Sequence, residues 1–279
     1  MLSKILKFLG LAMLFGIVIS LVGVFALGGD IKSVATHFND DGSYTFIKQE
    51  GTETITEINI TAINRSVEVV LSSDDSWHLE YFNSEKDSFN YNYTEGRLIL
   101  DNITKRQIFT IFKWTSSHIR LVKLFLPASF SGNIYIETTN GNIKVENISL
   151  INMVDLETTN GSLTLRDVYV ENDATMNTTN GTISVVNSRI DKKLSAETTN
   201  GNINLTSVMT LDADCATTNG TVRVSIIGNS DDFRISVRTT NGKIYFEDMV
   251  LASQTLNPSK SNVIKLNTTN GNIYIEFIE

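Results

Sequence analysis

The chain has 279 residues, with 23 Lys+Arg against 31 Asp+Glu and a net charge of -8. That balance excludes a nucleic-acid binder, whose affinity comes from neutralising phosphates, and 41% hydrophobic residues exclude a disordered chain. One Cys excludes an internal disulfide framework, and 28 Asn with 31 Thr stand well above ordinary usage.

Residues 1–29 predict a membrane anchor. Lys4 and Lys7 precede an uncharged run, residues 8–27, rich in Leu, Val, Ile and Phe. As a helix such a run spans about 30 Å, the thickness of a bilayer core. A cleavable signal has a shorter apolar region of about 7–15 residues. Val24-Phe25-Ala26 nevertheless keeps the cleaved alternative open. The positive-inside rule leaves Lys4 and Lys7 in the cytoplasm and everything after Asp30 outside. The expectation is a single-pass protein of the cell membrane with an extracellular C-terminal domain.

Residues 30–57 are polar and read as a stalk, inside which the first strands can begin. Residues 58–130 alternate apolar and polar, as in Ile58-Asn59-Ile60-Thr61-Ala62. That period belongs to half-buried strands. Both Trp and most aromatics precede the next segment, so residues 58–130 are expected to seal one end of a stack. A recognition site built from those aromatics is the alternative.

Residues 131–279 are a repeat. Thr-Thr-Asn-Gly recurs with its last two residues at Asn140-Gly141, Asn160-Gly161, Asn180-Gly181, Asn200-Gly201, Asn219-Gly220, Asn241-Gly242 and Asn270-Gly271. The intervals are 20, 20, 20, 19, 22 and 29 residues. Four residues before each Asn, and three after it, the chain is apolar in every copy: Leu156 and Leu163 in one, Cys215 and Val222 in another. Alternation on both sides of Asn-Gly gives two half-buried strands per repeat. An antiparallel meander with Asn-Gly hairpin turns fits this pattern. A parallel β-solenoid with coils of about 20 residues fits it better, because a hairpin has no reason to fix two Thr before the turn. In stacked coils the Asn amides form a ladder, and the Thr two residues before Asn points inward and needs a backbone partner. Gly is expected to supply a positive φ at the corner. The predicted fold is all-β: a parallel β-solenoid preceded by one transmembrane helix. No capping segment follows the last copy, so an open sheet edge and self-association through the C-terminal coil are expected.

Thr-Thr-Asn-Gly-Asn-Ile units after an irregular region ending in Leu124-Phe125-Leu126-Pro127 resemble the bacterial DUF4097 proteins, which carry an adhesin label. The resemblance covers roughly residues 50–279. It implies a β-helix-like fold, and, for some members, membrane anchoring and a link to cell-envelope stress regulation in Gram-positive bacteria. It brings no catalytic motif. The long final interval departs from the family pattern.

Nothing else in the sequence assembles a site. His37, His78 and His118 lie apart, and Cys215 sits in an inward column as a small hydrophobe. Asp212 and Asp214 share an outward face. They could bind Ca²⁺ or cleave polysaccharide, but a solvated face is the plainer reading. The same holds for the Glu137, Glu157 and Glu197 column. No cofactor or metal is implied, and the Asn-Gly residues are structural. The expected function is a non-enzymatic, membrane-anchored module that binds an envelope protein or cell-wall polymer. The alternatives are a polysaccharide-acting enzyme on a β-helix scaffold and a self-assembling surface element.

Overall fold

The structure is a computed structural model and describes residues 44–85, 87–104, 120–247 and 249–278. The first seven strands are β1 (Thr45–Gly51), β2 (Glu57–Ala62), β3 (Ser66–Leu71), β4 (Trp77–Asn83), β5 (Asp87–Thr94), β6 (Arg97–Thr104) and β7 (Leu121–Leu126). The repeat then contributes β8 (Asn133–Asn140), β9 (Ile143–Glu146), β10 (Met153–Asn160), β11 (Leu163–Arg166), β12 (Tyr169–Val170), β13 (Ala174–Asn180), β14 (Ile183–Val186), β15 (Arg189–Asn200), β16 (Ile203–Asn219) and β17 (Val222–Ile227). The last six are β18 (Phe233–Asn241), β19 (Ile244–Phe246), β20 (Met249–Leu251), β21 (Gln254–Leu256), β22 (Asn262–Asn270) and β23 (Ile273–Ile278).

Each regular coil runs up one sheet, turns at Asn-Gly, and runs along a second sheet. Successive coils pair in parallel, with Leu156 on Ile136 and Met176 in the first sheet, and Leu163 on Ile143 and Ile183 in the second. A short third side links Tyr169 to Arg189 and Arg189 to Met209. These parallel registers exclude the meander. The inward columns form one core: Ile134, Val154, Ala174 and Leu194 are buried, as are Ile143, Leu163, Ile183 and Ile203. Burying each large aliphatic side chain contributes about 1.5–3 kcal/mol.

Stack order departs from chain order at both ends. In the first sheet the order is β5-β6-β2-β8-β10-β13-β15-β16-β22-β18-β21. In the second it is β1-β4-β7-β3-β9-β11-β14-β16-β17-β23-β19-β20. The last coil, β22 and β23, therefore lies between β16–β17 and β18–β19. The expected open C-terminal coil is corrected by this arrangement: its edges are paired on both sides. The long final interval is the reason. It builds the antiparallel strands β20 and β21, which cover the outermost coil, and brings the chain back inside. At the other end, antiparallel β4 and β5 do the covering, with β1 paired on β4. β1 falls within the stretch read as a stalk.

The single-pass membrane localisation does not stand. Among the described residues no helix is long and apolar enough to cross a membrane. The segment on which that expectation rests, residues 1–29, lies outside the described residues, as do residues 30–43, His37 and His118.

Candidate functional site

The first corner accounts for the first Thr, the Asn and the Gly of Thr-Thr-Asn-Gly. The Asn180 amide Nδ2 donates to Asn160 Oδ1 at 2.8 Å, and Asn200 donates to Asn180 at 2.8 Å. The line continues through Asn219, Asn270 and Asn241, in stack order, and at the other end through Asn140 to Asn64. The inward Thr finds its partner in the glycine carbonyl of the neighbouring coil. Thr178 Oγ1 donates to Gly161 O at 3.0 Å, and Thr198 Oγ1 to Gly181 O at 3.1 Å. Glycine is required for a reason other than the expected one. No corner glycine has a positive φ. A Cβ on Gly181 would lie 1.8 Å from Gly161 O, and the same clash recurs at Gly161, Gly201, Gly220, Gly242 and Gly271. Close approach of backbones excludes a side chain there.

Asn64-Arg65 takes the corner position in the β2–β3 coil, with Ala62 paired to Thr138. Here the residue after Asn carries a side chain. Arg65 is 1% exposed, bonds Asp87 Oδ2 at 2.7 Å, and stands over the Tyr44 and Phe89 rings. Asp87 also accepts from Asn102 at 3.0 Å. This pair ties the covering strand β5 to the first corner.

In the regular coils the left-handed residues stand at the second corner; at the first corner only Asn64, in the β2–β3 coil, has a positive φ among the described residues. Asn147, Asp167, Asn187 and Ser207 have φ of 58°, 52°, 47° and 53°. Asn and Asp tolerate that conformation best after glycine. Two residues further on, Tyr169, Arg189 and Met209 line up along the stack. They border an apolar groove with Ile148, Val168 and Ile227 on its floor. Arg189 lies 5.2 Å over the Tyr169 ring, and both bond Asp191, at 2.6 Å each. The Arg189 guanidinium, and then the Tyr169 hydroxyl, hold the Asp191 carboxyl below its usual range. The Asp191 carboxylate in turn raises the Tyr169 phenol. Met209 is 41% and Leu211 51% exposed, so the patch offers unburied apolar surface beside an oriented Tyr–Arg pair. Sequence reasoning missed these residues because the second corner repeats no motif. The available signal was the column nine residues after each Asn.

The other candidates are engaged in structure. Asp212 Oδ1 accepts from Val263 N at 2.7 Å, and Asp214 pairs with Lys265 at 2.9 Å, so both acids hold the inserted coil. Cys215 is buried, and burial pushes its thiol up. His78 sits between Asp74 and Glu50, with Ser76 Oγ 2.8 Å from its Nε2. Asp74 Oδ1 accepts from Ser72, Ser76 and His78. The Ser76 hydroxyl is the first cause of its depressed carboxyl pKa. That cluster closes the turn between β3 and β4. Glu137, Glu157 and Glu197 are exposed on the first sheet, and burial raises the neighbouring Asp155 carboxyl. No group of three or more His, Cys, Asp or Glu among the described residues is placed to hold a metal ion.

A family model described as Toastrack DUF4097 matches residues 55–249. Among solved structures, the chain is similar to a "putative adhesin" from Parabacteroides distasonis ATCC 8503, at 14% identity over 85% of this chain and 99% of that one, with a TM-score of 0.48. It is similar to a "putative cell adhesion protein" from Clostridium sporogenes ATCC 15579 at 11% identity over 84% and 100%, with a TM-score of 0.34. A third similarity, to a "putative adhesin" from Parabacteroides merdae ATCC 43184, has 11% identity over 86% and 98% and a TM-score of 0.39. No curated protein matches the chain.

Proposed function

The chain belongs to the Toastrack DUF4097 family, and from that premise we propose that it is a non-catalytic binding module. Its partner is a protein or an envelope polymer, held against the second corner of the stack. The observation that supports this reading is the apolar groove lined by Tyr169, Arg189 and Met209, with Met209 and the nearby Leu211 exposed. Tyr, Arg and Met are the residue types enriched at the centres of protein interfaces. Tyr169 and Arg189 are oriented before any partner arrives, so little side-chain freedom is lost on binding. The apolar character of the patch favours a protein over a polysaccharide. An adhesin-like or envelope-stress role lies within this class. The enzyme alternative loses its support, because the acids it would need bind Val263 N–H and Lys265.

The test is a pull-down from extracts of the source cells, with the purified chain as bait. A Met209→Asp, Leu211→Asp variant is expected to lose at least about 2 kcal/mol of binding, roughly a thirtyfold drop in retained partner. Both side chains are exposed, so folding should not change. Equal capture by the variant, or capture of isolated cell-wall polymer alone and indifferent to the variant, would count against the proposal.

A further inference from the structure

The outward face of the first sheet carries charge of opposite sign at its two ends. In the column three residues before the corner Asn, stack order reads Glu137, Glu157, Asn177, Glu197, Ala216, Asn267, Arg238. Arg238 belongs at the far end only because the last coil is inserted before it. Arg234 lies four residues earlier on the same face of β18 and is also exposed. Glu157, Glu197, Arg234 and Arg238 are exposed and form no ion pair among the described residues. Between the two ends the small side chains of Asn177 and Ala216 leave a shallow groove that runs along the stack past Glu157 and Glu197.

From this pattern we propose that the first sheet's outer face binds a second copy of the chain, antiparallel in stack direction. A two-fold axis along the strands, between β15 and β16, sets the register. Arg238 of one copy then faces Glu157 of the other, and Lys193 faces Asp212. Glu197 meets Ala216, Asn177 meets Asn267, and no two like charges are opposed. Each contact occurs twice, as a two-fold interface requires. Six strands at about 4.8 Å, three outward residues wide, cover roughly 600 Å² per copy, at the low end for a specific interface. Opposed charges in such a face set register and exclude the parallel arrangement, in which Glu rows would meet Glu rows. The surface is distinct from the second corner, so the two proposals stand or fall separately.

Sedimentation velocity of the full chain tests it. The wild type is expected to equilibrate between monomer and dimer at about 50 mM salt and to dissociate at about 500 mM, where exposed charges are screened. Arg238→Glu or Glu157→Arg alone should raise the dimer dissociation constant at least tenfold. The two together should restore it to within about threefold of wild type. Both positions are exposed, and circular dichroism of each variant checks that the stack is intact. A monomer at all concentrations, a dimer indifferent to either single reversal, or a double variant without restoration would overturn the proposal. So would association with cationic polymer strengthened by Arg238→Glu in place of self-association, because the acidic rows would then serve another partner.

Discussion

Gly181→Ala is expected to destabilise the stack by about 3 kcal/mol or more, enough to unfold much of the chain. The added Cβ would lie 1.8 Å from Gly161 O and 2.5 Å from its carbonyl carbon. Neither atom belongs to a side chain that could swing away. The coils on either side are held by Gly161 N–H to Asn180 O at 3.1 Å and by Leu163 N–H to Thr182 O at 3.0 Å. Relief would require separating two coils, and separation would cost the Asn160–Asn180 amide bond and the Thr178 hydroxyl bond as well. The exposed Thr179, two residues away, is the control: Thr179→Ala should stay within about 0.5 kcal/mol of wild type. Urea unfolding of the purified chain measures both. A wild-type midpoint for Gly181→Ala would show that the coils are not packed this closely.

Asp87→Ala is the second change with a large expected effect. Arg65 is 1% exposed, and its guanidinium bonds Asp87 at 2.7 Å. Removing Asp87 takes the carboxylate from a buried guanidinium that keeps its bond to Phe82 O, and breaking a buried ion pair typically costs about 3–5 kcal/mol. The loss should be local as well as large, because Asp87 opens β5, the strand that covers the first sheet. Hydrogen exchange should rise first along β5 and β6. Replacing both members, as Arg65→Met with Asp87→Leu, removes the charge together with its partner and should recover most of the loss. If Asp87→Ala unfolds at the wild-type denaturant concentration, Arg65 draws its stability from elsewhere.

Much of the fold can be read in the sequence because the solenoid writes the same physical problem into each coil. The inward columns around Leu156 and Leu163 alternate with period two, and the seven Asn-Gly positions give the coil length. The identity of each neighbour is another matter. Every copy presents the same Asn, Thr and Gly to the next, so the ladder accepts any order of coils. The order rests on non-repeating contacts, such as Asp214 with Lys265, 51 residues apart in the chain. Such a pair has no local signature. The corner glycine shows a different gap. The residue type was correct to single out, but a tight turn and a tight approach both call for glycine, and only the stacked carbonyl of Gly161 separates them. Asn64-Arg65 escaped notice because it lacks the glycine. Tyr169, Arg189 and Met209 were hidden because they share a position in the coil and no chemistry, and Leu211 lies two residues beyond that position.

The insertion of the final coil is the central structural claim, since it covers the C-terminal strand, carries Arg238 to the end of the charged face and gives Asp212 and Asp214 their partners. Disulfide mapping on the outward Thr column tests it directly. Neighbouring parallel strands lie about 4.8 Å apart, within reach of a disulfide, while strands two steps apart are about 9.6 Å away and out of reach. Native Cys215 is buried and does not compete. The insertion predicts that Thr218→Cys with Thr269→Cys, and Thr240→Cys with Thr269→Cys, oxidise readily, while Thr218→Cys with Thr240→Cys does not. Ready oxidation of the 218–240 pair, with the 218–269 pair remaining reduced, would place the coils in simple chain order and contradict it.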